Sequence, residues 1–500
     1  MSVRKAITWA FSGQIFNFVI AFGGSVAVAR LLSPQEMGVV AIGMATLAII
    51  AIVTSFGTGA YVIREPTLSP QMLDAACTIN ALLAVLLSAA LVIVSLFAEP
   101  LLGDEAAGEV LRILAIGPLI LIFSFKPQML LQREMQFRTL TLVSSVAIVV
   151  ATATTLAAAL LGFSYYSPTF GGLASALVTV TMHAALNPRY MPFRISFHDW
   201  RRMTTFGLRM MSVSGVSSMA MRLSDVVLGR LLGLTALGLY SRAANLSNMV
   251  FENIYGTATR VVFAQLSKDF RETGELRATF LRGFQMITAV MWPLLIGLAV
   301  LSGPIIYLLY GSKWLGAALP LSLLMIAQFF TLCFGMNWEL FVLRDETARQ
   351  TKYEVTRSVF GLVVFTIGSL FSIAGAAIGR IVDAGFGLVM YYPHMRRLAK
   401  TEPGEIPGVY RESGLLTVAA VLPSFLLMMA HDWAADTPFW QVAGAVLIGV
   451  ALWLATVHRL DHPLLGELRI FFHKAKTAIA FRPLFARGGP ARTLDEPPLG

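Results

Sequence analysis

The sequence predicts an all-α polytopic membrane protein, and two observations predict it. Hydrophobic residues make up 56% of the 500 residues and charged residues only 13%, whereas a soluble domain carries about 25% charged residues. The apolar residues also form continuous runs of about 20, the length that crosses a bilayer as a helix. A β-barrel is disfavoured because its strands alternate apolar and polar residues over about ten positions. Soluble classes of protein, nucleic-acid-binding modules included, are therefore excluded.

The apolar runs predict about 14 transmembrane helices. In chain order these spans cover residues 7–29, 37–56, 72–97, 110–131, 138–161, 169–187, 205–228, 234–258, 280–302, 315–340, 355–372, 373–392, 413–431 and 439–458. The eleventh and twelfth spans are joined by a very tight turn from Ser372 to Gly375. The loops between spans that face outwards are short, which leaves no room for a catalytic external domain.

The basic residues predict the orientation in the membrane. Of the 38 Lys and Arg residues, 31 fall in segments that are cytoplasmic if the N-terminus is inside, the polar run from Arg344 to Arg357 included. Such a bias is typical of cytoplasmic loops, so it accounts for most of the net charge of +10. Three arginines, Arg222, Arg242 and Arg380, lie instead within spans. We expect both termini to be cytoplasmic.

An internal repeat divides the chain. Arg30-Leu31-Leu32 with Gly38 matches Arg230-Leu231-Leu232 with Gly238, at an offset of 200 residues and at the start of equivalent six-helix sets. Six spans is an even number, so the repeats are parallel and related by an axis along the membrane normal. The predicted units are an N-terminal lobe (1–187), a cytoplasmic linker (188–204), a C-terminal lobe (205–400), helices 13 and 14 (401–460), and a partly amphipathic, then disordered, tail (461–500).

The segments around this repeat resemble those of a known family. The segment from Ala29 to Gly38 is similar to the loop after the first helix of the oligosaccharide/polysaccharide flippases, the polysaccharide-transporter branch of the multidrug/oligosaccharidyl-lipid/polysaccharide exporter superfamily. Ser55–Ala60 with Ile63–Glu65, and Gly229–Gly233 with Leu237–Ala243, are similar to its later motifs. The resemblance implies two six-helix lobes forming a V-shaped cleft in the bacterial inner membrane, and a lipid-linked oligosaccharide as cargo.

Polar residues recur on one face of several spans and give the candidate site. They are Gln14 and Asn17 in the first span; Ser214, Ser218, Arg222 and Asp225 in the seventh; Arg242, Asn245, Glu252 and Asn253 in the eighth; and Arg380, Asp383 and Tyr391 in the twelfth. A charge at mid-bilayer costs about 2.5–3.5 kcal/mol on insertion scales, so such a residue faces a cavity or a partner. We expect these faces to line a central cleft.

The three arginines suit a diphosphate group, because the guanidinium fork pairs with phosphate oxygens. With the resemblance, this predicts a flippase for undecaprenyl-diphosphate-linked repeat units, serving exopolysaccharide, capsule or O-antigen (lipopolysaccharide) synthesis. A different interpretation pairs Arg222 with Asp225 and Arg380 with Asp383 at i,i+3 spacing. The acidic residues Asp225, Glu252 and Asp383 could also bind a coupling proton or sodium ion.

Other functions remain open. A lipid II flippase or a cation-coupled drug exporter of the same superfamily fits the same pattern, and a membrane polysaccharide polymerase or ligase is the alternative from another class. We expect no enzymatic activity, cofactor or metal, since no nucleotide-binding motif, metal cluster or catalytic triad appears in the sequence. The expected partners are the lipid-linked oligosaccharide, the bilayer, and polymerase or export machinery.

Overall fold

The fold is built from helices throughout the part of the chain that the structure describes. The computed structural model describes residues 3–54, 58–65, 67–192 and 194–466, and within its helices the side chains of residues 3–8, 10–11, 53–54, 60 and 206–217 lie outside the description. Over these described ranges there is no β-strand. The prediction of an all-helical protein is confirmed. The tail from residue 467 onwards, with its predicted amphipathic segment, lies outside the described residues.

Nineteen α-helices occur in the described ranges. The first half contains α1 (Val3–Leu31), α2 (Pro34–Thr54), α3 (Thr58–Arg64), α4 (Pro70–Leu96), α5 (Ala98–Leu102), α6 (Glu105–Leu114), α7 (Ile116–Arg133), α8 (Phe137–Leu160) and α9 (Ser167–Leu186). The second half contains α10 (Trp200–Leu232), α11 (Leu234–Thr273), α12 (Arg277–Val300), α13 (Ser302–Tyr310), α14 (Ala318–Cys333), α15 (Asn337–Leu343), α16 (Thr347–Ser369) and α17 (Ile373–Ala399). Two further helices, α18 (Glu405–Ala430) and α19 (Phe439–Arg459), complete the described fold.

Eleven helical segments in the described residues are long and apolar enough to cross a membrane. The predicted spans that fall outside this set are the seventh, eighth and eleventh, which correspond to α10, α11 and α16. These three helices are long, but charged and amide residues lower their apolar content. The structure thus confirms a multi-span membrane protein, while the count of fourteen spans stays a prediction.

Two predicted spans are broken where the sequence suggested one continuous helix. The fourth is divided between α6 and α7 at Ala115, and the tenth between α14 and α15, where Met336 adopts a left-handed backbone with φ of 60°. The tight turn between the eleventh and twelfth spans is present, but it lies at residues 370–372, slightly before the predicted position. The Ser372 hydroxyl accepts a hydrogen bond from the Gly375 amide at 3.0 Å and so caps α17.

The order of helix packing repeats between the two halves. In the first half α1 packs on α8, α8 on α9, α4 on α7, and α7 on α9; in the second half α10 packs on α16, α16 on α17, α12 on α14, and α14 on α17. Helix α18 packs on α12 and α19 on α18. The two additional helices therefore extend the second half, while the exact lobe and linker boundaries stay predictions.

Helix α2 joins the halves by packing against α10 and α11. The repeated glycines lie at this crossing: a Cβ atom on Gly38 would stand 1.8 Å from the Leu234 carbonyl oxygen, and one on Gly238 would stand 1.8 Å from the Pro34 carbonyl oxygen. Only residues without a side chain permit so close an approach of two backbones. The sequence repeat therefore marks a contact between the halves.

The start of α2 is fixed by a reciprocal cap. The Ser33 hydroxyl accepts from the Glu36 amide at 3.3 Å, and the Glu36 carboxylate accepts from the Ser33 amide at 2.6 Å. The same carboxylate accepts a hydrogen bond from the Ser164 hydroxyl, just before α9. Nearby, the Arg30 guanidinium donates to the carbonyl oxygens of Leu308 and Leu309 at the end of α13. These contacts hold the connection between α1 and α2 in place beside the second half.

Candidate functional site: a charged cavity between the halves

A cavity of about 530 Å³ lies between the two halves of the molecule. On one side α2 contributes an apolar wall, which consists of Met37, Val40, Ala41 and Met44. On the other side α10, α11, α14, α16 and α17 contribute all of the charged, amide and hydroxyl side chains among the described lining residues. The described polar lining therefore belongs to the second half alone.

Two of the predicted arginines, Arg222 and Arg380, line the cavity from α10 and α17. The Arg222 side chain is 46% exposed and stands 3.8 Å from the Asp225 carboxylate. The Arg380 guanidinium donates to the Ser224 hydroxyl at 2.9 Å and lies over the Phe365 ring at 4.7 Å. The i,i+3 pair of Arg222 with Asp225 is present, at a separation that leaves the guanidinium open to a further anion.

Arg242 also lines the cavity, but it is buried and bridges the two halves. Its guanidinium donates to the Ser25 hydroxyl of α1 at 2.6 Å. It also lies 5.3 Å from the centre of the Tyr310 ring and 5.5 Å from that of Trp314. Arginine over aromatic rings is a favourable cation–π arrangement. Arg242 therefore contributes positive charge to the cavity, and its hydrogen bond and ring contacts already fix its guanidinium in place.

The structure places a further arginine, Arg357 of α16, in the cavity lining. The sequence interpretation counted this residue in a cytoplasmic segment. Its guanidinium stands 3.3 Å from the Asp383 carboxylate and 3.7 Å from that of Glu354. Asp383 is thus paired with Arg357, and the predicted pair with Arg380 is not among the described ion pairs. The sequence interpretation also placed Arg357 at the start of the eleventh predicted span and did not include it in the candidate site, whereas α16 already begins at Thr347 and Arg357 lies ten residues into it. The i,i+3 spacing of Glu354 and Arg357 is the signal that could have indicated a helix starting before residue 355.

The charged side chains that line the cavity favour the binding of an anion. Four arginines and two aspartates line the cavity among the described residues, so positive charges exceed negative ones by two. In a low-dielectric membrane interior an anion gains far more from such charges than it would in water. No group of three or more His, Cys, Asp or Glu side chains within the described ranges is arranged to hold a metal ion.

Comparison with known sequences identifies the family. Residues 27–319, more than half of the chain, match the family described as polysaccharide biosynthesis protein. The chain belongs to this family. The resemblance inferred from the sequence motifs is thereby confirmed.

Relatives and solved structures agree with this membership. The succinoglycan biosynthesis transport protein ExoT of Rhizobium meliloti is 26% identical over 332 residues, which cover 65% of this chain and 66% of that protein. The lipopolysaccharide biosynthesis protein WzxC of Escherichia coli is 22% identical over 395 residues, covering 78% and 79%. A solved structure of the lipid II flippase MurJ in an inward closed conformation superposes with a TM-score of 0.72 at 15% identity, covering 92% of this chain and 100% of that one. That structure shows a shared fold.

In this family member, one uncharged residue of the predicted set lines the cavity among those whose side chains the structure describes. Asn245 lines it from α11. Tyr391 does not: it is fully buried within the second half, where its hydroxyl donates to the Glu354 carboxylate at 3.1 Å. The helical period placed Tyr391 on the same face as Arg380, but that face passes under other helices before the end of α17.

The polar residues of α1 serve a contact within the first half. Asn17 donates to the Ser144 hydroxyl at 3.1 Å and accepts from the Ser145 hydroxyl at 2.9 Å, which joins α1 to α8. Gln14 is exposed one turn earlier and is not among the lining residues. The structure therefore places neither of these two predicted residues in the lining of the cleft.

Three further predicted residues, Glu252, Asn253 and Ser218, are not among the residues that line the cavity. Glu252 and Asn253 are exposed on α11, and the Asn253 amide donates to the Met249 carbonyl oxygen of its own helix at 2.7 Å. Ser218 is exposed on α10 and is not among the lining residues. The side chain of Ser214, on the same helix, lies outside the described residues.

The sequence interpretation also missed a group of uncharged polar residues in the cavity. They lie on α11 and α14, and they are Ser241, Ser247, Asn248, Gln328 and Thr331. Gln328 donates to the Asn248 side-chain oxygen at 3.3 Å and thereby links the two helices. Single amides and hydroxyls inside apolar runs are common in membrane helices, so periodicity alone did not distinguish these residues.

Proposed function

We propose that this protein is a flippase that moves undecaprenyl-diphosphate-linked oligosaccharide repeat units across the bacterial inner membrane by alternating access. The observation that carries the proposal is the cavity between the halves, in which arginines outnumber acidic residues within a membrane-spanning helical fold. Membership of the polysaccharide biosynthesis family and the names of its relatives support the class of cargo.

Charge matching supports the diphosphate. A diphosphate that links a lipid to a sugar carries one negative charge on each phosphate, which balances the cavity's excess of two positive charges. Arg222 and Arg380 are the residues proposed to bind it, since both side chains remain at least partly exposed, whereas Arg242 is buried and Arg357 is paired with Asp383. Guanidinium forks bind phosphate oxygens through paired hydrogen bonds.

Alternating access requires two halves that can separate on one face and then on the other. Here α2 packs on α10 and α11 at the repeated glycines, and the apolar wall of α2 lies opposite the charged wall of the second half. The proposed cycle opens this contact on the outer face while the cargo's charge stays with the second half. Both termini are proposed to lie in the cytoplasm, and polymerase and export machinery are proposed to receive the product.

The test combines loss of the protein with loss of the two arginines. Deleting the gene is expected to stop polymer export and to accumulate lipid-linked repeat units on the cytoplasmic leaflet. The double variant Arg222→Ala/Arg380→Ala is expected to reproduce that loss, because each charged hydrogen-bonding group contributes about 1.5–3 kcal/mol, or about tenfold or more in binding. Arg349→Ala is the matched control, since Arg349 lies on α16 away from the cavity lining and pairs with Glu346.

Normal export by the double variant, at wild-type abundance in the membrane, would reject the diphosphate site. A lipid II flippase is the competing function with a related solved fold. Restored growth of a strain depleted of its lipid II flippase, without restored polymer, would favour that alternative. Restored polymer without restored growth is the result that the proposal predicts.

A further inference from the structure

The uncharged polar residues of the cavity form a group that the diphosphate does not use. They lie on two helices, with Asn245, Ser247 and Asn248 on α11 and Gln328 and Thr331 on α14. Asn245 and Asn248 are three residues apart, about 4.5 Å along the helix axis at a rise of 1.5 Å per residue. Two amides at that separation can contact the same small ring.

These groups retain hydrogen-bonding capacity inside the membrane. Ser247 is 2% exposed, and its hydroxyl oxygen has no hydrogen-bond partner among the described residues. The link between Gln328 and Asn248 is one bond of 3.3 Å, which leaves further donors and acceptors on both amides. A buried polar group without a partner destabilises the protein by about 1–3 kcal/mol. The cavity therefore presents polar groups that a polar ligand would satisfy.

The chemistry of this group selects a sugar. Amides and hydroxyls both donate and accept hydrogen bonds, as sugar hydroxyls do, and the five residues of the group carry no charge. The cavity's excess of two positive charges is already balanced by a diphosphate. An additional carboxylate on the adjoining sugar would be buried without a counter-charge, which is strongly unfavourable.

We propose that Asn245, Asn248 and Gln328, together with Ser247 and Thr331, bind the sugar that is attached directly to the diphosphate, and that this subsite selects an uncharged sugar. The inference rests on the proposed function, because it assumes that the lipid-linked diphosphate occupies the neighbouring arginines. It adds a specificity-determining role for residues that lie opposite the apolar wall of α2.

The experiment measures binding of synthetic lipid diphosphates to the purified protein in detergent. The probes are farnesyl diphosphate alone, used throughout as the methyl ester of its terminal phosphate so that it carries the same two charges as a sugar-linked diphosphate, and farnesyl diphosphate linked to glucose, galactose, N-acetylglucosamine or glucuronic acid. We expect at least one of the three uncharged sugars to strengthen binding by about tenfold over farnesyl diphosphate, the scale set by a few well-placed hydrogen bonds. The glucuronic acid probe is expected to bind no more tightly than farnesyl diphosphate.

Variants separate this subsite from the diphosphate site. Asn248→Ala/Gln328→Ala is expected to abolish the gain from the sugar and to leave binding of farnesyl diphosphate unchanged. Asn253→Ala is the matched control, because it is the same residue type on the same helix but binds its own backbone outside the cavity lining. Arg222→Ala/Arg380→Ala is expected to weaken every probe.

Three outcomes would overturn the inference: no uncharged sugar strengthens binding, the glucuronic acid probe binds more tightly than farnesyl diphosphate, or the double amide variant retains the gain. Failure of the proposed function gives a different result. In that case farnesyl diphosphate itself does not bind to the wild-type protein, or binds equally well after both arginines are removed.

Discussion

Substitution of Gly238 by alanine adds one atom, the alanine Cβ, to the contact between the halves. The new Cβ would stand 1.8 Å from the Pro34 carbonyl oxygen, whereas ordinary contacts begin at 3.4 Å. A backbone oxygen cannot rotate away, so α2 and α11 must separate by roughly 1.5 Å at this point. Forced overpacking of this kind costs about 1–3 kcal/mol. Helix α11 is present in both the open and the closed form, so the gain in helix propensity cancels between them and the closed contact is disfavoured by about 1–3 kcal/mol.

Such a change shifts the population of closed and open forms. A free-energy difference of about 1.4 kcal/mol corresponds to a tenfold change in an equilibrium constant. Met37 lines the cavity from α2, close to the crossing, so a cysteine at this position reports opening. We expect a membrane-impermeant maleimide added to the outer face of spheroplasts to label Met37→Cys about tenfold faster when Gly238→Ala is present. The native cysteines, Cys77 and Cys333, are buried and can be replaced by alanine to remove background.

Gly256 supplies the matched control, because it lies on the same helix and a Cβ there would meet nothing within 4 Å. Gly256→Ala is expected to leave the labelling rate unchanged. Equal labelling rates for Gly238→Ala and wild type would refute the argument that the repeated glycines close the halves. Equal acceleration by both glycine variants would also refute it, since the effect would then come from helix propensity.

Three further predictions concern contacts around the cavity and at the helix ends. Arg242→Lys is expected to lose the stacking on aromatic rings and to lower stability by about 1–2 kcal/mol, measured as thermal unfolding in detergent; an unchanged unfolding temperature would contradict the bridging role. Ser33→Ala is expected to lower the free energy of unfolding by about 1 kcal/mol, because the α2 cap is lost. If Ser33→Ala lowers stability by the same amount in a variant that already lacks the Glu36 carboxylate, the reciprocal cap is contradicted. Arg397 binds Glu346 through two hydrogen bonds of 2.6 Å and lowers the pKa of that carboxyl from 4.5 to about 2. The stabilisation is therefore complete above about pH 4.5 and is lost as the pH falls towards 2. The stability difference between wild type and Glu346→Gln should shrink over that range. A stability difference that does not depend on pH would contradict the ion pair.

The fold and part of the site could be predicted from sequence because membranes constrain composition strongly. Charges inside apolar runs are costly, so Arg222, Arg242 and Arg380 stood out and all three line the cavity. The repeat that contains Gly38 and Gly238 was visible as a sequence match, and the structure shows that it is a contact between halves.

The other lining residues depend on which helices meet, and a single helix does not encode that. Arg357 lay at the polar start of the eleventh predicted span, and its partner Asp383 is on a different helix. Gln328 carries no charge, so its position in an apolar run gave no signal. Tyr391 shares a helical face with Arg380, but α17 turns that part of the face into the interior of the second half, next to Glu354. Sequence periodicity thus identifies faces of helices, and packing decides which faces meet in a cavity.

The central claim is that the charged cavity carries a lipid-linked diphosphate sugar across the bilayer. The most direct measurement places the purified protein in liposomes with a fluorescent polyprenyl-diphosphate oligosaccharide and follows its arrival in the opposite leaflet. We predict translocation by the wild-type protein, at least about tenfold slower translocation by Arg222→Ala/Arg380→Ala, and a wild-type rate for Arg349→Ala. Translocation no faster than in protein-free liposomes, or equally fast in the double variant, would contradict the account.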